Sequence, residues 1–229
     1  MKQILFALIL TVLALFTAHT AGAQPDAPAP ANQPSLPALD QQLLDAAQTG
    51  ELATVTQLLD KGAHINAVGQ GGFTALLTAA ATGHMGVVKL LLERGAKTEF
   101  KDVRGDTALD YGVTTANIET VRLLVEHGAN VESREENGLT PLMLAIVSGS
   151  VDIVKLLLDH GAKVDDKETH GFTALMAASG GGQLEMVKAL LDHGADWREK
   201  SNDGMTALKL AIKNKKPDVE KLLRERGAQ

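Results

Sequence analysis

Apolar residues recur along most of this chain with a helical period. Leu76, Ala79, Ala80 and Gly83 stand at i, i+3, i+4 and i+7 and so share one face of a helix. Thr74 just before them is an N-cap candidate, whose hydroxyl can accept from the free amides of the first turn. Gly83 ends that helix. Val87, Val88, Leu91 and Leu92 then form the apolar face of a second helix. Arg94 sits at its C-terminal end, where a cation suits the helix dipole, and Gly95 supplies a left-handed cap. Ala96 to Arg104 is polar and too short for a third helix, and it suits an extended, turn-containing finger.

The same layout returns without a break. Gly-Ala pairs begin at Gly62, Gly95, Gly128, Gly161, Gly194 and Gly227, and every gap is 33 residues. A second series, Gly72, Gly105, Gly138, Gly171 and Gly204, keeps the same gap. Each of these glycines is followed two residues later by Thr and four residues later by Leu. The pattern predicts an all-α repeat solenoid of six stacked helix-turn-helix units, 39–71, 72–104, 105–137, 138–170, 171–203 and 204–229. A lone unit exposes its apolar face. Stacked units cover one another, so the ends of the stack must be polar. Asp40, Gln41, Gln42, Asp45 and Gln48 suit one cap. Lys209, Lys213, Lys215, Lys216, Lys221, Arg224 and Arg226 suit the other.

The first 38 residues break this pattern. Lys2 precedes an apolar run from Ile4 to Phe16, and Ala21-Gly22-Ala23 offers a small-x-small cleavage site. This is the form of a secretory signal peptide, residues 1–23, cleaved after Ala23. The run of 13 residues rises about 20 Å as a helix, short of the ~30 Å hydrocarbon core, so membrane insertion after cleavage is not expected. Residues 24–38 hold five of the seven prolines and read as an extended linker. The expected location is the periplasm or the cell exterior.

Composition narrows the function classes. The net charge of −6 argues against a nucleic-acid binder, which needs basic residues to displace counterions. The absence of cysteine excludes disulfides and thiolate metal sites, so stability must come from packing.

The units carry Gly-x-Thr-Ala/Pro-Leu, two small residues, Gly-His, Val-x-x-Leu-Leu and Gly-Ala, and in this the chain resembles the ankyrin repeat family over residues 39–229. The resemblance implies an L-shaped stack of antiparallel helix pairs with protruding hairpin loops. It also implies binding of proteins through those fingers and the concave face of the inner helices. Several positions depart from the family pattern. Only Thr140-Pro141-Leu142 keeps Thr-Pro-Leu, and the His that usually follows is replaced by Leu77, Asp110, Met143, Met176 and Lys209. The third unit departs most. Gly112-Val113 replaces Ala-Ala and Ala116 replaces a glycine, which marks a soft joint.

Candidate chemistry is sparse. His127, His160 and His193 recur before Gly-Ala pairs, but stacked helices lie ~8–10 Å apart, too far for equivalent histidines to share an ion with bonds of about 2.0–2.1 Å. Lys61, Arg94 and Arg226 share that column, as a helix-end cation would. No nucleophile elbow, phosphate loop or zinc-protease motif is present, and no metal or cofactor is expected. The expected role is a non-catalytic, monomeric scaffold that binds a partner protein. A secreted effector or inhibitor is the alternative, and an enzyme with an unrecognised site is the residual one. The candidate binding residues are Leu77, Tyr111, Met143 and Met176 along the groove, with Lys101, Asp102, Arg104, Arg134 and Glu135 on the fingers. Trp197, the single tryptophan, is read as packing near the C-terminal cap.

Overall fold

The computed structural model describes residues 36–135 and 137–229. The segments read as signal peptide and most of the linker lie outside the described residues. Among the described residues, twelve α-helices follow in six pairs. The inner helices are α1 (Ala38–Thr49), α3 (Ala75–Thr82), α5 (Ala108–Thr114), α7 (Pro141–Ser148), α9 (Ala174–Gly181) and α11 (Ala207–Lys213). The outer helices are α2 (Leu52–Asp60), α4 (Met85–Glu93), α6 (Ile118–Glu126), α8 (Val151–Asp159), α10 (Leu184–Asp192) and α12 (Pro217–Glu225). Each inner helix packs on its own outer helix and on the inner helices before and after it.

Local chemistry sets the starts and stops. Thr74, Thr107, Thr140, Thr173 and Thr206 each accept a hydrogen bond from the amide three residues on, which satisfies one of the free amides of the first turn. Pro141 and Pro217 occupy the first helical positions, where no amide partner is lost. The first helix begins at Ala38 behind Pro37, so the last residue assigned to the linker is already helical.

The core runs the length of the stack. Leu43, Leu76, Leu109, Leu142 and Leu175, all in one column of the repeat, are at most 1% exposed. Val88, Val121, Val154 and Val187 do the same on the outer helices. The small residues Ala79, Ala145, Ala178 and Ala211 are fully covered and let neighbouring backbones approach. Of the polar residues expected to cap the ends, Gln41, Asp45, Lys209, Lys213 and Lys221 are exposed, but Asp40 is buried, because its carboxylate turns inward to accept from the His64 amide at 2.7 Å.

Three expected groove residues turn out to be core. Leu77 and Met176 are 1% exposed and Met143 is 4% exposed. An inner helix is covered on three sides, by its outer partner and by both neighbouring inner helices. That leaves one narrow stripe to the concave face, and this column lies beside that stripe rather than on it. These methionines fill the space between units.

Candidate protein-binding surface

The stripe that does reach the concave face passes through Thr78, Tyr111 and Ala177, and through Thr114 and Val147 a turn later. All five are partly exposed. Of these only Tyr111 was among the sequence candidates. The position one residue after the buried column is partly exposed at Thr78, Tyr111 and Ala177 but buried at Leu144, so the stripe shifts a turn to Val147 in the fourth unit.

Tyr111 anchors a dense polar and aromatic cluster at the second finger. Its hydroxyl donates to Asp102 Oδ2 at 2.7 Å and also meets the Arg104 guanidinium. Phe73 lies against its ring at 5.7 Å between centroids. Arg104 passes over the same ring and pairs with Asp102 at 3.2 Å and Asp106 at 3.1 Å. Asp102, expected as an exposed finger charge, is instead a buried turn organiser that accepts from the amides of Arg104 and Asp106. Burial works against its charge, but the Tyr111 hydroxyl, these amides and Arg104 hold its carboxyl below the usual range. At the tip stands Val103, 75% exposed, the most exposed large apolar side chain among the described residues.

Carboxylates crowd the floor between the second and third fingers. Burial, then the charge of Asp102, pushes Asp106 up to about 6 despite Arg104. Burial, then Asp106, pushes Glu135 up to about 7. Asp110 is also raised by burial, although the Thr107 hydroxyl and amide and the Ser133 hydroxyl offset it. Asp110 occupies the place that Leu77, Met143 and Met176 fill with core side chains. It closes a capping box with Thr107 instead.

Lys101 and Arg134 mainly hold the fingers together. Lys101 Nζ donates to the Arg134 carbonyl at 3.1 Å, Arg134 to the Lys167 carbonyl at 3.1 Å, and Lys167 to the Lys200 carbonyl at 3.0 Å. Arg134 also pairs with Asp166, and Lys167 pairs with Glu199. The histidine column behaves as helix-end donors. Nδ1 of His127, His160 and His193 bonds the carbonyl four residues back, at 2.7–2.8 Å. Trp197 is partly buried near Gly227 and carries the Arg198 guanidinium over its ring at 4.7 Å. No helix of the described residues is long and apolar enough to cross a membrane.

The sequence model for ankyrin repeats (three copies) matches residues 43–135, 113–168, 130–201 and 166–229, and so spans the whole stack. The chain belongs to the ankyrin repeat family. Ankyrin proteins of known structure resemble it along most of their length. A chain of the complex between the predatory endopeptidase Bd0816 of Bdellovibrio bacteriovorus and the immunity protein Bd3460 is 32% identical, with a TM-score of 0.73, covering 81% of this chain and 98% of that one. An ankyrin repeat domain of Acinetobacter baumannii is 30% identical, with a TM-score of 0.78 over 82% and 98%. EF0377, an ankyrin repeat protein, is 28% identical, with a TM-score of 0.77 over 81% and 98%. No match was found among curated proteins. Ankyrin repeats bind protein partners, and the cluster around Tyr111 sets the partly exposed Phe73 and Tyr111 beside the exposed Val103 and Arg104.

Proposed function

We propose that this ankyrin protein is an exported, non-catalytic scaffold of the periplasm or cell exterior. It binds a partner protein through the second finger and the concave stripe beside it. The observation that carries this reading is Val103 standing exposed beside Arg104, Tyr111 and Phe73. Binding hot spots favour aromatic residues and Arg over a charged rim. The apolar run and Ala21-Gly22-Ala23 at the N-terminus support export.

A second reading narrows the first. One structural relative comes from a complex of an endopeptidase with its immunity protein. At 32% identity over most of both chains, that likeness favours an inhibitor whose partner is an exported hydrolase.

Site-specific photocrosslinking in the native cell tests both. A probe at Val103 is expected to give one discrete protein adduct, and a probe at Lys155 on the outer face none. Adducts shared by both probes, or none from Val103, would remove the surface from consideration. Identification of the adduct as a hydrolase, slowed by the purified chain, selects the inhibitor reading.

A further inference from the structure

Bonds across the unit junctions are unevenly distributed on the helix side of the stack. Between the first and second units, His84 Nε2 meets the Gln48 carbonyl at 3.0 Å and Arg94 pairs with Asp60 at 3.0 Å. Between the fourth and fifth, Gln183 Nε2 donates to the Ile146 carbonyl at 2.7 Å and His193 meets Asp159 at 3.3 Å. Between the fifth and sixth, Asn214 donates to the Gly180 carbonyl at 2.9 Å and Arg226 pairs with Asp192 at 2.9 Å. Among the described residues, no such bond crosses from α4 or α3 to the third unit, nor from the third unit to α7 or α8.

Side-chain length explains the gap. In the column of His84 and Gln183 the third and fourth units carry Asn117 and Ser150. These shorter side chains turn back to cap their own helices, accepting from Thr120 at 3.0 Å and Ile153 at 3.4 Å. In the acid column, Asp60, Asp159 and Asp192 pair across the junction. Glu93 bonds Lys89 on its own helix instead, at 3.9 Å. His127 and His160 keep only their own helix carbonyls.

The third unit also carries backbone strain and an unpaired buried hydroxyl. Ala116 ends its inner helix at φ +53°, a left-handed conformation that costs a residue with a Cβ roughly 1–2 kcal/mol. Four of the other five units put glycine there. Thr120 is fully buried with no partner for its hydroxyl. Gly112 breaks the alanine column of α5. Among the described residues, Ser179 in the fifth unit is the other buried hydroxyl without a partner, but there it is an isolated fault among tied junctions.

The fingers behave differently. Lys101 reaches the Arg134 carbonyl, and Arg134 reaches Asp166 and the Lys167 carbonyl. The Lys163 amide donates to Glu132 at 2.9 Å and the Thr169 amide to the Asn137 carbonyl at 3.2 Å. We propose that the third unit is a built-in hinge, pinned along the fingers and free to open at its helix side, so that units one and two rock against units four to six. Rocking changes the curvature of the concave face and lets the second finger close on a partner.

Distance measurements between paired spin labels on the full chain test this directly, because the chain has no cysteine to compete for the label. Lys89, Lys155 and Lys221 are exposed and share one column, 66 residues apart. Cysteines at 89 and 155 span the two untied junctions, and cysteines at 155 and 221 span two tied ones. The distance distribution of the first pair is expected to be at least about twice as wide as that of the second. Asn117→Gln, which gives that side chain the reach of Gln183, is expected to narrow it. A third pair on the finger stems, at Lys97 and Lys163, spans the same untied junctions and is expected to stay narrow. Equal widths for the two outer pairs, or no narrowing with Asn117→Gln, overturn the hinge. A finger pair as wide as the outer pair overturns the pivot.

Discussion

Thr140 and Pro141 open α7, Gly149 closes it in a left-handed turn, and Ala145 sits fully buried in between. Thr107 opens α5 equally well, with a capping box, but Gly112 stands where Ala145 does and Ala116 where Gly149 does. The outer helices repeat the contrast. Ile153 fills the place against α7 that Thr120 fills against α5, with its hydroxyl unpaired. The third and fourth units are therefore alike in length and layout and unlike in quality. In a solenoid, stability is a sum over units and their junctions. A handful of positions can then weaken one link while the fold is kept.

The largest effect expected is in the well-built unit. Leu157→Ala removes a side chain with no exposure and should cost about 2–5 kcal/mol, because a rigid site keeps its cavity. Leu124→Ala, in the same column of the third unit and equally buried, should cost less, since a softer site collapses around the void. Urea unfolding curves compare the two, and equal losses would erase the contrast. Next, Thr120→Val should raise stability by about 1 kcal/mol by removing an unpaired buried hydroxyl at nearly constant shape. Ala116→Gly should add about 0.5–1 kcal/mol, the relief of the left-handed strain less the extra freedom glycine has when unfolded. Both gains are read as shifts of the denaturation midpoint.

A pH scan sharpens the comparison further. Asp106 at about 6 and Glu135 at about 7 bind protons more tightly in the folded chain than in the unfolded one. Their contribution is complete below the ordinary carboxylate range and is lost as pH rises through 6 and 7. His193, raised by the Ala189 carbonyl and Asp159, acts in the same direction. The midpoint should therefore fall from about pH 4, where the unfolded carboxyls ionise, to about pH 7, where Glu135 loses its proton in the folded chain. Asp106→Asn with Glu135→Gln should flatten the slope. The smallest effect belongs to Gly112→Ala. Helix propensity favours alanine by about 1 kcal/mol. A Cβ there would lie 3.2 Å from Thr120 and 3.3 Å from Val121, and this crowding cancels the gain. A clear stabilisation would show that α6 already stands away from α5.

The solenoid was legible from the glycine and threonine columns because caps act locally, within a turn of the residue that supplies them. The departures of the third unit at Gly112 and Ala116 were legible for the same reason. The candidate binding surface was not. Leu77, Met143 and Met176 fell on the wrong side of the inner helix, because a periodic pattern shows that a face is apolar and not how many neighbours cover it. Asp102 and Arg134 looked like free surface charges, since their partners are backbone groups, or a residue of the next unit, that spacing alone does not align. Val103 went unremarked because a single valine in a polar stretch carries no periodic signal.

The ladder of Lys101, Arg134 and Lys167 ends each time on a main-chain carbonyl of the following unit. A carbonyl is supplied by any amino acid, so the link places no demand on what the next repeat encodes. A gene segment of 33 codons duplicated in frame would arrive with its donor and find its acceptor in place. A single-codon insertion would break the 33-residue spacing of the rung that straddles it. The stack is thus built to lengthen by whole copies while resisting small slips.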